Sequence, residues 1–321
     1  MGSDPFFAQP AQQRGPTPFS RAGYTDGMRV VLTALVACAA CAGDDGMQTP
    51  VDPADVDGDG ILNEADLCPN RRDPVQHDDD GDGVGDVCDN CPATPNPDQR
   101  DLTEVNAELQ QFPDGVGDAC DRRPTLSDDT IARFFPFADP AEQSAFTGSG
   151  WTIGSDRASG TNARWVVKKT EIGDGLTLQA KISKLAWTGT EGAVTVAVNG
   201  NGVTGGFTCS IVHALGADQL VLTELGAGTT STTVAPFAAN ARVVLTVTRI
   251  YSQLETGKAA CFLSIDGAAE KRIDLVTADD NPIGIYAFAT EMAEVDVEAA
   301  TVMTTPFACD TPFTGGPLAC P

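Results

Sequence analysis

The chain is short of positive charge. Its 321 residues carry 20 lysines and arginines against 45 aspartates and glutamates, a formal net charge of −25. A field of that sign repels phosphate backbones and excludes nucleic acid as a partner. Histidine is nearly absent. Only His77 and His213 occur, too few for a Cys/His zinc module, and the short Cys88 to Cys91 spacing runs into Pro92 rather than a zinc-knuckle turn. His213 follows Ile211-Val212 on an apolar run; with no serine or cysteine nucleophile matched to it, it reads as structural. Three tryptophans do not make a platform for stacking sugar rings. No apolar run is long enough to span a bilayer. The glycines between Asn199 and Gly206 mark hairpin turns, since no lysine or helix start follows them as a phosphate loop requires.

What is abundant is acid, and it is concentrated. Residues 51–122 hold twenty of the acidic residues and four arginines, a formal −16. They contain few large apolar side chains, so hydrophobic burial there cannot offset the entropy of ordering the chain. Ten cysteines stand at 38, 41, 68, 88, 91, 120, 209, 261, 309 and 320, and the last eight fall into sequential neighbours that can pair without crossing, which points to an oxidising compartment. From Met28 the chain reads one arginine, a short apolar run and small residues before cysteine, the order of an export signal. Ala42 to Pro53 then reads as a flexible tether.

Aspartates recur at alternate positions. Asp55, Asp57 and Asp59 precede Gly60, and Asp78, Asp80 and Asp82 precede Gly83. Calcium takes six to eight hard oxygen ligands, and alternate positions on a tight loop can turn three carboxylates toward one ion while glycine permits the bend. The Ile61 and Val84 carbonyls, Asn63, Asp66, Asp86 and Asp89 are candidates to complete the two shells. A third unit supplies Asp101, Asp114, Asp118 and Asp121, but Leu102 to Pro113 interrupts it and removes the middle aspartate. Glutamate at loop position twelve and flanking amphipathic helices are missing, which sets these loops apart from an EF-hand.

From Asp128 the texture changes to apolar and threonine-rich runs with period two, among them Leu176 to Ile182, Gly192 to Val198, Val243 to Thr248 and Glu294 to Ala299. About ten to twelve strands without a convincing helix make the second half an antiparallel β-sandwich. Its expected core is Trp151, Trp165, Val167, Leu178, Ile182, Val196, Leu245, Val247, Phe262, Ile285 and Val297.

These residues carry several resemblances. Asp55 to Pro69 and Gln76 to Asp89 resemble the thrombospondin type 3 repeat. That likeness implies structural Ca²⁺ ions acting as the core of a segment with little regular secondary structure, and the pairs Cys68–Cys88 and Cys91–Cys120. Leu35-Val36-Ala37-Cys38 resembles a bacterial lipobox, with Cys41 a second candidate, which implies a lipid anchor. Gly148 to Trp151, Phe207-Thr208-Cys209, Ala260 to Leu263 and Gly284 to Tyr286 resemble a laminin-G-like, concanavalin-A-like jelly roll, a class that binds sugars or proteins. Cys209 and Cys261 are expected as a disulfide between neighbouring strands, and Cys309–Cys320 as a small C-terminal closure.

The mostly β chain thus divides into a leader and signal (1–41, with Met28 an alternative start), a tether (42–53), calcium repeats (54–123), a sandwich (127–305) and a tail (306–321). The expected protein is exported and non-catalytic, an outer-membrane or cell-surface lipoprotein or else secreted. In it a calcium-stiffened stalk presents the sandwich to an extracellular glycan or protein. A purely structural spacer is one alternative. The other is enzymatic: Glu294, Asp296 and Glu298 share one strand face and resemble the Glu-x-Asp-x-Glu strand of some jelly-roll glycosidases. There one glutamate is nucleophile and the other acid/base, although in an ideal strand the two glutamate backbones stand roughly 13 Å apart. That position on the last strand of the domain reads more simply as a solvated outward face.

Overall fold

Alternating apolar and polar residues put one side chain in two on each face of an extended chain. In a computed structural model, which describes residues 52–102, 113–122, 129–173, 175–198, 206–214, 217–250, 258–276 and 283–305, each alternating run forms a strand. The strands are β1 (Thr130–Phe135), β2 (Phe146–Ile153), β3 (Ala158–Val167), β4 (Glu171–Ile172), β5 (Gly175–Trp187), β6 (Gly192–Val198), β7 (Phe207–Ala214) and β8 (Ala217–Glu224). They continue with β9 (Gly228–Val234), β10 (Val243–Ile250), β11 (Lys258–Ile265), β12 (Lys271–Val276), β13 (Ile283–Gly284), β14 (Ala287–Glu291) and β15 (Ala293–Thr305). One short 3₁₀ turn, Pro140–Ala145, is capped by Asp139, whose carboxylate accepts from the Ala141 N–H.

All pairings are antiparallel, in the order β12-β11-β10-β5-β15-β3-β14-β6-β7-β8-β9, with β1 on β15 and β2 on β3. The sheet folds over so that β10, β11 and β12 face β6 to β9, giving a two-layer, jelly-roll-like sandwich. Leu176, Leu178, Ile182, Leu245 and Val247 from one layer meet Val196, Ile211, Leu220 and Leu222 from the other, all essentially without solvent exposure. Each such side chain stabilises the fold by about 1.5–3 kcal/mol relative to exposure.

Three expectations change here. Cys209 and Cys261 are bonded, but β7 and β11 are not neighbours in the sheet; the disulfide crosses the core and pins one layer to the other. Phe262 is buried on the opposite face of its strand from Cys261 and lies outside the main core. Ile285 is half-buried, and the adjacent Tyr286 is the residue that enters the core.

The second face of the β11-β10-β5-β15 layer is buried too. Thr177, Gln179, Lys181, Thr246, Thr248 and Thr301 are all less than a tenth exposed, although their alternation predicts a solvated surface. The aspartate loops cover them. Lys181 Nζ donates to the Asp79 carbonyl. Arg122 pairs with Glu270 at 2.8 Å, donates to Thr246 Oγ1 at 3.3 Å and lies 4.5 Å from the centre of the Phe262 ring. Cys91, Val116 and Cys120 form a small apolar cluster with Met303 of β15, against which Ile131 of β1 packs. Over the described residues the expected stalk is therefore a layer on the sandwich, and both belong to one compact unit.

Candidate metal centre

The first two loops share one hydrogen-bond scheme, position by position, and the third repeats it at positions one, five and nine. At position one, Asp55 accepts from the Gly58 and Gly60 N–H groups at 2.8 and 3.1 Å, and Asp78 from Gly81 and Gly83 at 2.8 and 3.0 Å. Asp101 accepts from Gly115 at 2.9 Å. Gly60, Gly83 and Gly115 all have φ between +92° and +101°, the region that glycine adopts without strain. At position three, Asp57 and Asp80 accept from the Asp59 and Asp82 N–H groups, both at 3.1 Å. At position five, Asp59, Asp82 and Asp114 accept from Ile61, Val84 and Val116 N–H at 2.8–2.9 Å. The third loop thus recovers the register of the other two across its long insertion.

Position nine behaves differently. Asn63, Asp86 and Asp118 turn Oδ1 to the N–H of position two, on Val56 at 3.0 Å, Asp79 at 2.9 Å and Leu102 at 3.2 Å. This is a loop-closing contact that an amide makes as well as a carboxylate, which accounts for asparagine at 63. Position twelve is occupied by a buried acid. Asp66 Oδ1 accepts from the Cys68 N–H and from Gln76 Nε2 at 2.8 and 2.7 Å, and Asp89 Oδ1 from the Cys91 N–H and Gln99 Nε2, both at 2.7 Å.

At positions three and twelve these bonds use one oxygen of each carboxylate and leave the other. Among the described residues, one buried carboxylate oxygen on each of Asp57, Asp66, Asp73, Asp80 and Asp89 has no hydrogen-bond donor. Burying an anionic oxygen without a partner costs several kcal/mol unless a cation compensates it. Asp55, Asp57 and Asp59 can offer ligand oxygens within 4.8 Å of one another, as can Asp78, Asp80 and Asp82. The donor sets are all oxygen, so a hard divalent cation of the Ca²⁺ kind fits them. Bound there, it would neutralise charge that otherwise opposes compaction.

Three members of the centre lie outside the sequence-derived set. Asp73, only 4% exposed, donates its N–H to Asp59 Oδ2 at 2.9 Å, Asn96 does the same to Asp82 at 2.6 Å, and Asp129 to Asp114 at 2.7 Å. The recurrence of Asp73-Pro-x-Gln as Asn96-Pro-x-Gln is a signal for the first two. Nothing local announces Asp129, which directly precedes β1 and accepts from the Thr305 hydroxyl at the end of β15. Asp114, Asp121 and Asp129 form a third acidic group, so the last loop draws one member from the residue just before β1.

Cys68–Cys88 and Cys91–Cys120 are both formed. Position eight explains a second glycine. A Cβ on Gly85 would meet Cys68 Sγ at 2.7 Å, and one on Gly117 would meet Asn90 Oδ1 at 2.5 Å and Cys91 Sγ at 2.8 Å. The first loop, with no disulfide against it, has Leu62 there. Gly117→Ala should therefore lower stability by about 1–3 kcal/mol through overpacking, while Leu62→Ala, at a half-exposed site, should change it by under about 1 kcal/mol. Thermal melts in calcium check both.

The carboxylates of the enzymatic alternative lie on one face of β15, and each has a cation beside it. Glu294 stands 2.9 Å from Lys184, Asp296 3.6 Å from Arg157 and Glu298 3.9 Å from Lys181. Their strand is last in sequence but central in the sheet, paired to β5, β3 and β1. His213 stacks on Trp187 and holds Asp218 at 2.6 Å. Cys38, Cys41, Cys309 and Cys320 lie outside the described residues.

No curated protein matches the chain. Similar solved folds include the legume lectin-like domain from Entamoeba histolytica (TM-score 0.44, 11% identity, 54% of this chain and 96% of that one) and peanut lectin with a nine-residue peptide (0.42, 11%, 54% and 96%). SCLam, a non-specific endo-β-1,3(4)-glucanase, is similar at 0.41 and 7% identity over 56% and 92%. Residues 53–76 and 73–99 match the thrombospondin type 3 repeat, and over that segment the chain carries calcium-binding repeats of this kind.

Proposed function

We propose that this is an exported, non-catalytic protein in which calcium-filled loops form a rigid layer on a β-sandwich, and that the sandwich binds an extracellular glycan or protein in adhesion. The observation that carries the calcium reading is the repeated set of buried carboxylate oxygens without donors at Asp57, Asp66, Asp80 and Asp89. Export is supported by three disulfides among the described residues. Lipid on Cys38 or Cys41 would hold the protein at the outer membrane or cell surface; release into the medium is the variant without it.

The face left for a ligand is the outer surface of β3, β14 and β6. Small residues there, Ala193 and Ala289, leave a shallow groove edged by Asn162, Arg164, Thr195 and Glu291. Its hydroxyl, amide and guanidinium groups suit a hydroxylated or acidic ligand. Glycan and protein arrays probed with the full chain in calcium test this. Binding to one class that weakens at least tenfold in Arg164→Ala is expected; no binding on either array overturns the ligand reading. Hydrolysis of β-glucan that disappears in Glu294→Gln would replace it with the enzyme.

A further inference from the structure

His77, Asp79 and Asp86 form a cluster with different chemistry from the calcium loops. His77 directly precedes the second loop and Asp79 lies between its first two ligand aspartates, and with Asp86 they form a group distinct from Asp78, Asp80 and Asp82. His77 Nδ1 stands 2.9 Å from Asp86 Oδ2 and 3.3 Å from Asp79 Oδ1, and the three residues can offer ligand atoms mutually within 4.8 Å. Asp86 uses its other oxygen, Oδ1, to close the loop on the Asp79 N–H, so Oδ2 is committed only to the histidine. The Asp79 side chain is 7% exposed, and its Oδ2 is buried without a donor. The single Nδ1–H of His77 can serve Oδ2 of Asp86 and, at a longer distance, Oδ1 of Asp79, yet it leaves Oδ2 of Asp79 unpaired.

We propose that His77, Asp79 and Asp86 bind a divalent transition-metal ion of the zinc type, at a site separate from the calcium loops. One imidazole nitrogen and two carboxylate oxygens suit zinc and its first-row neighbours, whereas calcium selects oxygen alone. The 3.3 Å separation of His77 Nδ1 from Asp79 Oδ1 is the edge that bonds of about 2.0–2.1 Å impose in a tetrahedral shell, and the 2.9 Å separation from Asp86 need open by only about 0.4 Å to match it. The site differs in kind from the cysteine-based zinc modules that the composition excludes. His77 remains 23% exposed, which gives an ion a path in and a fourth position open to water. Because Lys181 of β5 donates to the carbonyl of Asp79, the ion would also stiffen the seam between the second loop and the sandwich.

The test is calorimetric titration of ZnCl₂ into the full chain in saturating calcium. One equivalent of zinc is expected to bind in the presence of that calcium. His77→Gln and, separately, Asp79→Asn should each weaken it by tenfold or more while leaving the number of bound calcium ions unchanged. X-ray absorption at the zinc edge should show one imidazole among nitrogen and oxygen ligands and no sulfur. Absence of zinc binding, displacement of zinc by calcium, a sulfur-containing shell, or an affinity indifferent to both substitutions would each overturn the site.

Discussion

Chelating calcium from the protein is expected to unfold residues 52–122 and strip the cover from the polar face of the sandwich. The segment has little apolar surface to bury, carries a formal −16 over residues 51–122, and buries carboxylate oxygens that have no hydrogen-bond donor and that a bound cation compensates. A site held at a hundred times its dissociation constant contributes about 2.7 kcal/mol. Two or three such sites amount to roughly 5–8 kcal/mol, comparable to the whole stability of an ordinary domain. The sandwich has its own disulfide-pinned core and should survive the loss. Thermal melts and limited proteolysis with and without EGTA check this: cleavage should concentrate in the loops, and protease-resistant loops in EGTA would refute a cation core.

The calcium requirement should also grow with pH. Burial, with the charge of Asp86 added and those of His77 and Lys181 opposing, pushes Asp79 up to about 8. Burial, with Asp82 and Asp89 added, pushes Asp80 up to about 7. A carboxyl whose folded pKa lies above its unfolded value of about 3.9 keeps a proton that the unfolded chain has lost. The calcium-free fold is then destabilised progressively from about pH 4 until these groups ionise at about 7 to 8. The chelated protein should melt higher near pH 5 than near pH 8, and added calcium should raise the melting temperature more at pH 8.

Removing Cys91–Cys120 by paired alanine substitution should cost more than removing Cys68–Cys88. The two bridges span 29 and 20 residues. Loop-closure entropy rises only slowly with length, so each bridge contributes roughly 3–4 kcal/mol on that ground and the two are nearly equal. Packing separates them. Cys91 and Cys120 are buried in the cluster with Val116 and Met303 of β15, so their loss also loosens the loop from the sandwich, at about 1–2 kcal/mol more for the apolar area exposed. Chemical denaturation in calcium measures both variants. Equal losses would mean that docking contributes nothing to stability.

The acidic groups of the centre are largely legible in the sequence. The three acidic positions of a calcium loop lie within five residues, so their spacing in sequence is their spacing in space; Asp55, Asp57 and Asp59 illustrate it, as do the glycines at 60 and 83. Strands were legible for the same reason, since a period of two is a property of a single extended chain. The part played by position nine was less so. Asn63, Asp86 and Asp118 read as ligands in a list of oxygens, and the structure adds that each also closes its loop on the N–H of position two.

The amino-acid sequence by itself determined that this protein has acidic, glycine-bent, disulfide-closed loops followed by an antiparallel β-sandwich, because those features follow from neighbours a few residues apart. Only the tertiary structure decided what each alternating face meets. Thr246 and Gln179 lie beneath aspartate loops more than 50 residues away in sequence, Phe262 lies under Arg122, Cys209 reaches Cys261 through the core, and Asp129 completes the third loop from the start of β1. Period-two alternation assigns side chains to two faces but does not say what covers either one, since that depends on contacts between segments whose separation along the chain carries no local signal.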